Sequence, residues 1–129
     1  MVGLVIVSHS HRLATGVREL AGQMAPGVPI AAAGGTGDGR LGTDAVLIQR
    51  AIEQLGHCDG VLVLMDLGSA VLSAQMALEL VDDSLRDKTA LADGPLVEGA
   101  VAAAVQASLG SPLAAVKEVA EQAACMKKL

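Results

Sequence analysis

The chain opens on six consecutive apolar positions, Val2-Gly3-Leu4-Val5-Ile6-Val7, and runs from them straight into Ser8-His9-Ser10-His11. A β-branched run without polar alternation reads as a strand buried on both faces, the pattern of a parallel sheet. With this strand, Val2–Val7, three further short runs read as strands at about Pro29–Ala33, Gly60–Met65 and Thr89–Ala92. Between them apolar residues return at spacings of three and four: Leu13, Val17, Leu20, Ala21 and Met24, then Val46, Ile48, Ala51, Ile52 and Leu55, then Val71, Leu72, Met76 and Leu80. Each set marks one crossover helix, with its apolar stripe directed at the sheet. The Ala-rich segment Val97–Leu109 predicts a further helix ended by Gly110, and Ser111-Pro112 supply the cap and first-turn residues of a last one.

Strands alternating with helices define an α/β protein built from βαβ units. Short connections and right-handed crossovers favour an open, four-stranded, mainly parallel sheet in the order 2-1-3-4 with helices on both faces. Nothing divides residues 1–129 into two domains, and a chain of this length buries roughly 68% of its unfolded surface, enough to fold without a staple.

In that strand order the topological switch point falls between strands 1 and 3, where open sheets bind ligands. His9 leaves strand 1 there, and Asp66 leaves strand 3 in the loop Met65-Asp66-Leu67-Gly68-Ser69-Ala70. A carboxylate that accepts from one ring nitrogen fixes the tautomer and leaves the other nitrogen its lone pair, which makes an oriented nucleophile. The N-termini of the first and third helices converge on the same place, and their free N–H groups suit a phosphoryl dianion. Ser69 is expected to cap the third helix and Thr43 the second. From sequence alone, a hydrogen-bonded structural histidine and a helix-entry carboxylate stand as the plain alternatives.

The loop after strand 2, Gly34-Gly35-Thr36-Gly37-Asp38-Gly39-Arg40-Leu41-Gly42-Thr43, holds five glycines in ten residues and leaves the sheet at the same end. It lacks the Gly-Lys-Ser/Thr ending of a nucleotide P-loop, so no ATP is expected on this chain. His11 could pair with His9 on a metal, but no third ligand of ordinary spacing follows, and no metal is expected. His57 and Cys58 precede strand 3, at the far end of the sheet, and read as structural. Ser8 and Ser10 flank His9 without the G-x-S-x-G elbow of a serine hydrolase.

Composition narrows the classes further. Nine basic against fourteen acidic residues give a net charge of −5, with no basic cluster beyond Lys127-Lys128, which argues against nucleic acid. The absence of Phe, Tyr and Trp removes the stacking platforms for bases and flavins and dictates a small aliphatic core. Two cysteines, Cys58 and Cys125, read as free thiols of a reducing compartment. Mean hydropathy is positive, yet no apolar stretch nears the ~20 residues of a membrane span and no secretory signal is evident, so a cytoplasmic protein without membrane attachment is expected.

Four ordered motifs carry a resemblance that runs nearly end to end. They are Leu4-Val5-Ile6-Val7-Ser8-His9-Ser10 with Leu13-Ala14 and Gly16-Val17; Gly34-Gly35-Thr36 with Asp38-Gly39 and Gly42-Thr43; Asp66-Leu67-Gly68-Ser69-Ala70; and Pro95-Leu96-Val97-Glu98-Gly99-Ala100. Together they resemble the phosphotransfer subunits of phosphoenolpyruvate-dependent dihydroxyacetone kinases, relatives of the mannose-type enzyme IIA domains of sugar phosphotransferase systems. The resemblance implies a phosphoryl relay belonging to glycerol metabolism. His9 would accept the group from phospho-HPr, through Nε2, and pass it to Mg-ADP held on the nucleotide-binding kinase subunit. Asp66 would orient His9, and Ser10, Thr36, Gly68 and Ser69 would hold the phosphoryl group or a partner. It further implies a homodimer, no cofactor on this chain and, because no HPr-like domain follows Leu129, a separate HPr as donor. Two positions depart from the family pattern: Asp44, where a small hydroxyl residue is expected, and Gly94, where Ala is. A IIA component of a sugar transporter, a non-catalytic anion-sensing module and a metal-dependent hydrolase are the competing readings.

Overall fold

In the computed structural model, which describes residues 1–129, the four strands are β1 (Val2–Ser8), β2 (Ile30–Gly34), β3 (Gly60–Met65) and β4 (Thr89–Leu91). The helices are α1 (His11–Met24), α2 (Ala45–Gln54), α3 (Gly68–Leu80), α4 (Asp83–Arg86), α5 (Leu96–Ser108) and α6 (Leu113–Gln122), followed by a 3₁₀ turn at Ala123–Cys125. The sheet order is β2-β1-β3-β4, as the connection rules predict, and all three strand pairs are parallel. No helix is long and apolar enough to cross a membrane.

Side-chain alternation along the central strands divides the core in two. Val2, Leu4, Ile6, Leu62 and Leu64 pack on α1, α5 and α6, whereas Val5, Val7, Val61, Val63 and Met65 pack on α2 and α3. Full burial of each aliphatic chain is worth about 1.5–3 kcal/mol. The helices answer with small residues: Ala14, Val17 and Ala21 on α1, Ala70, Ala74 and Ala77 on α3, and Ala100, Ala103, Ala104 and Ala107 on α5. This corrects the stripes read from sequence. Leu13, Leu20 and Met24 on α1, Val46 on α2, and Leu72, Met76 and Leu80 on α3 are exposed, while the alanines beside them are buried. The core holds no aromatic side chain: α1, α3 and α5 meet the sheet mainly through alanines, while α2 contributes Ile48 and Ile52 and α6 Val116.

Several helix ends also differ from expectation. Asp44, not Thr43, caps α2, its carboxylate accepting from the Val46 amide at 2.9 Å. Leu67 precedes α3, so Ser69 lies inside the first turn and no side chain caps that helix. Pro112 occupies the cap position of α6, one residue earlier in the helix frame than predicted. The turn α4 was not legible as a helix; Asp82 caps it, and Arg86 from it donates to the carbonyls of Leu78, Glu79 and Val81 that close α3. Cys58 is buried and Cys125 exposed, both as free thiols.

Register positions the site. Val7 pairs with Met65 and Ser8 with Gly34, so the residues that follow these three strands emerge side by side. Gly34 lies so close to the start of α1 that a Cβ would sit 2.5 Å from the Ser10 carbonyl oxygen and 2.7 Å from the His11 Cα. Gly34→Ala should therefore lower stability by about 1–3 kcal/mol, whereas Gly16→Ala, with nothing within 4 Å of the new methyl, should raise it by about 0.5–1 kcal/mol. Thermal unfolding of the two variants against the parent checks both signs.

Candidate functional site

Because β1 and β3 are neighbours in register, Ser8-His9 and Asp66 leave the sheet together. The Asp66 carboxylate receives four hydrogen bonds there. Its Oδ1 accepts from His9 Nδ1 at 2.8 Å and from the Leu67 amide at 2.7 Å; its Oδ2 accepts from the His9 amide at 2.9 Å and from the Ser8 hydroxyl at 2.8 Å. Burial pushes this carboxyl's pKa up, and the bonds from His9, Ser8 and Leu67 together outweigh it, so the group titrates below the ordinary carboxylate range. Ionised Asp66 can only accept, which makes His9 Nδ1 the donor and leaves Nε2 with its lone pair. The hydroxyl of Ser69, from the first turn of α3, is hydrogen-bonded to Nε2. With Nε2 an acceptor, Ser69 is the donor.

The imidazole is thus held at both nitrogens while 28% of its side chain stays exposed, against 12% for Asp66. Ser8, itself buried, accepts the Ser10 amide at 3.0 Å, which ties the turn into α1 to the same carboxylate. The Ser10 hydroxyl caps α1 through the Leu13 amide at 3.1 Å. Gly68 opens α3 without a side-chain cap, and the first amides of a helix have no carbonyl behind them, so an anion at His9 would meet N–H groups.

The glycine loop encloses the other flank. Gly35 donates to the Ser8 carbonyl at 3.1 Å and Gly42 to the His9 carbonyl at 2.9 Å. Thr36 bonds within the loop, to Asp38 by its hydroxyl and to the Arg40 carbonyl by its amide. Hydrogen bonds from Arg40 and Thr36 hold the exposed Asp38 carboxyl down to a pKa of about 2. Exposed Leu41 and Leu67 stand on the two loops beside the histidine. None of the surface cavities is lined by His9; one of about 280 Å³ is lined by Asp66, Gln75 and Asp93 among others, and another by Ser10, His11 and Leu41. No group of three His, Cys, Asp or Glu side chains is placed to hold a metal ion, and His11 lies against the glycine loop near Gly34 and Gly39. His57 and Cys58 sit at the opposite end of β3, 3.7 Å apart through Nε2 and Sγ.

The sequence matches the family described as PTS system fructose IIA component over residues 3–117. The chain belongs to this mannose-type IIA family. Among its curated relatives, the phosphoryl donor subunit of PEP-dependent dihydroxyacetone kinase 2 from Listeria innocua is 47% identical over 113 residues, covering 87% of this chain and 90% of that one. The corresponding Escherichia coli K12 subunit is 50% identical over 117 residues, but they cover 88% of this chain and only 25% of that one. A phosphotransferase subunit of PTS-dependent dihydroxyacetone kinase from Lactococcus lactis is 34% identical over 93% of this chain and 94% of its own length. The chain therefore spans nearly all of some relatives and about a quarter of others. A crystal structure of a protein described as of unknown function superposes with a TM-score of 0.87 at 37% identity, over 98% of this chain and 96% of that one.

Both departures from the mannose-type IIA pattern have local causes. Asp44 is the helix cap, and a Cβ at Gly94 would lie 2.6 Å from the Ala120 carbonyl oxygen. Two contributors are not singled out by the sequence. Ser8 reads there only as a candidate nucleophile, its place at the end of an apolar strand being the one signal that it faces the interior. Thr43 reads as a cap, and instead reaches across to α3.

Asp66 has consequences for stability as well as chemistry. Its native pKa is depressed, so the unfolded chain binds the proton more readily; its contribution is full above the ordinary carboxylate range and is lost as the pH falls through the lowered native value. Asp66→Asn should be less stable by on the order of 1 kcal/mol at pH 7, with the gap to the parent closing in acid. Urea titrations at pH 7 and at successively lower pH measure the convergence.

Proposed function

We propose that this chain is the phosphoryl donor subunit of a PEP-dependent dihydroxyacetone kinase and that His9 carries the phosphoryl group on Nε2. The observation that carries the reading is the Asp66–His9–Ser69 alignment: one nitrogen held by a carboxylate, the other accepting from a hydroxyl beside an uncapped helix end. The relatives named for that kinase supply the substrate class. A donor phosphohistidine, that of HPr, brings its phosphorus to Nε2. As the new N–P bond forms, the bond to the donor nitrogen breaks and that nitrogen keeps the electron pair. The Nδ1 proton stays on the ring, where ionised Asp66 stabilises the positive charge that develops. Ser69 exchanges Nε2 for a phosphoryl oxygen, and the amides at the start of α3 face the same oxygens. In the second step an ADP β-phosphate oxygen attacks the same phosphorus, the His9 N–P bond breaks, and ATP forms on the nucleotide-binding subunit, which holds the nucleotide and its magnesium.

A part-exposed imidazole that lines no cavity, with exposed Leu41 and Leu67 on the neighbouring loops, favours exchange with proteins over capture of a free small molecule. Ser10 acts through α1 and Thr36 through the shape of its loop, while Ser69 and the Gly68 turn meet the phosphoryl group directly. On this reading the protein works in the cytoplasm, as a homodimer, between HPr and the kinase subunit. A sugar-transporter IIA would share the first step and differ only in its acceptor.

Incubation with phosphoenolpyruvate, enzyme I and HPr should give one acid-labile phosphoryl group per chain, and none in His9→Ala. Asp66→Asn should transfer on the order of 10²–10⁴-fold more slowly, because an amide can present its NH2 to Nδ1 and reverse the tautomer. Full labelling of His9→Ala would overturn the assignment. Discharge to a IIB protein instead of to ADP on the kinase subunit would point to the transporter.

A further inference from the structure

The Ser69 hydroxyl is useful only where α3 places it, and the helix has no side-chain cap to fix its first turn. Besides the Leu67 amide's bond to Asp66, a second hold on that turn comes from the other side of the site. The Thr43 hydroxyl lies 2.7 Å from the Ser73 hydroxyl, one turn along α3 from Ser69, and 3.5 Å from the Ser69 carbonyl oxygen. Either hydroxyl of the Thr43–Ser73 pair can donate to the other, and when Ser73 donates, the Thr43 proton is free to point at the Ser69 carbonyl. Thr43 adjoins Gly42, whose amide donates to the His9 carbonyl at 2.9 Å. Gly42 has φ +143°, and a Cβ there would lie 2.8 Å from the Thr36 methyl, so the loop meets His9 in this position only through a glycine. The pair Gly42-Thr43 therefore braces the two halves of the site against each other: the His9 turn on one side, the first turns of α3 on the other. Thr43 is not spent on capping α2, which Asp44 does.

We propose that Thr43 is a positioning residue for phosphoryl transfer, holding the first turns of α3, and Ser69 with them, in register with His9 Nε2 through its hydrogen bond to the Ser73 hydroxyl and its longer contact with the Ser69 carbonyl. The inference rests on the reading of His9 as the phosphoryl carrier. Misplacement of a reacting group by about 1 Å can lower a rate by roughly 100-fold, so a brace made of one hydroxyl has leverage on the chemical step. The threonine methyl contributes shape, and the hydroxyl contributes the register.

Thr43→Val keeps the branched shape and removes the donor, whereas Thr43→Ser keeps the donor. Two readouts separate the possibilities. In the unphosphorylated protein, the ¹⁵N resonance of His9 Nε2 reports the Ser69 hydrogen bond without any transfer. Thr43→Val should shift it toward the value of Ser69→Ala, and Thr43→Ser should restore it. In transfer from phospho-HPr, Thr43→Val should lower the rate at saturating donor by roughly 10-fold or more with KM little changed, and Thr43→Ser should recover most of the loss. An unshifted Nε2 resonance in Thr43→Val, or equal impairment of the two variants, would overturn the role of the hydroxyl. If the parent takes no label from phospho-HPr while the resonance shifts as expected, the carrier reading fails and the brace stands as structure.

Discussion

The Asp66 carboxylate is the constraint on which the site depends. Four donors converge on its two oxygens, and they come from both sides of the β1–β3 pair: the His9 amide and ring and the Ser8 hydroxyl from one strand end, the Leu67 amide from the other. A buried carboxylate is tolerated only when its charge is met in this way. Meeting it simultaneously locks the histidine tautomer, orders the turn into α1 and orients the start of α3. The parallel register that puts Val7 opposite Met65 makes the convergence possible, and that register follows from two fully buried strands whose alternating faces serve two separate cores.

Much of this was legible in the sequence because it rests on backbone rules. Unbroken apolar runs gave β1 and β3, connection rules gave the strand order, and the order put His9 beside Asp66. What was not legible depended on side-chain size and on offsets of one or two residues at helix starts. Leu72, Met76 and Leu80 look like the buried stripe of α3, yet Ala70, Ala74 and Ala77 are the residues that fit against Val63 and its neighbours. At α3 the helix starts two residues earlier than expected, which frees Ser69 from capping and delivers its hydroxyl to Nε2. At α2 the cap falls one residue later, on Asp44, and leaves Thr43 to bridge. A propensity rule recognises a good cap at either position, and only tertiary packing decides which one takes the role.

Function follows from how the histidine is presented. It stands part-exposed with one nitrogen committed to Asp66, the other held only by the Ser69 hydroxyl, and exposed leucines on the neighbouring loops. A group that must be received from one protein and surrendered to another suits this exposed placement better than a deep pocket, since both partners have to reach the same nitrogen. The helix starts and the Ser69 hydroxyl can steady a phosphoryl group without enclosing it, which keeps the carrier state accessible to the next acceptor.

The central claim is that Asp66 reserves Nδ1 and thereby assigns the phosphoryl group to Nε2 of His9. Nuclear magnetic resonance of ¹⁵N-histidine-labelled, phosphorylated protein measures this directly, through the phosphorus–nitrogen coupling and the ring-nitrogen shifts. The account predicts a single phosphohistidine at His9 with phosphorus on Nε2 and a proton retained on Nδ1. Phosphorus on Nδ1, or on His11, would contradict it.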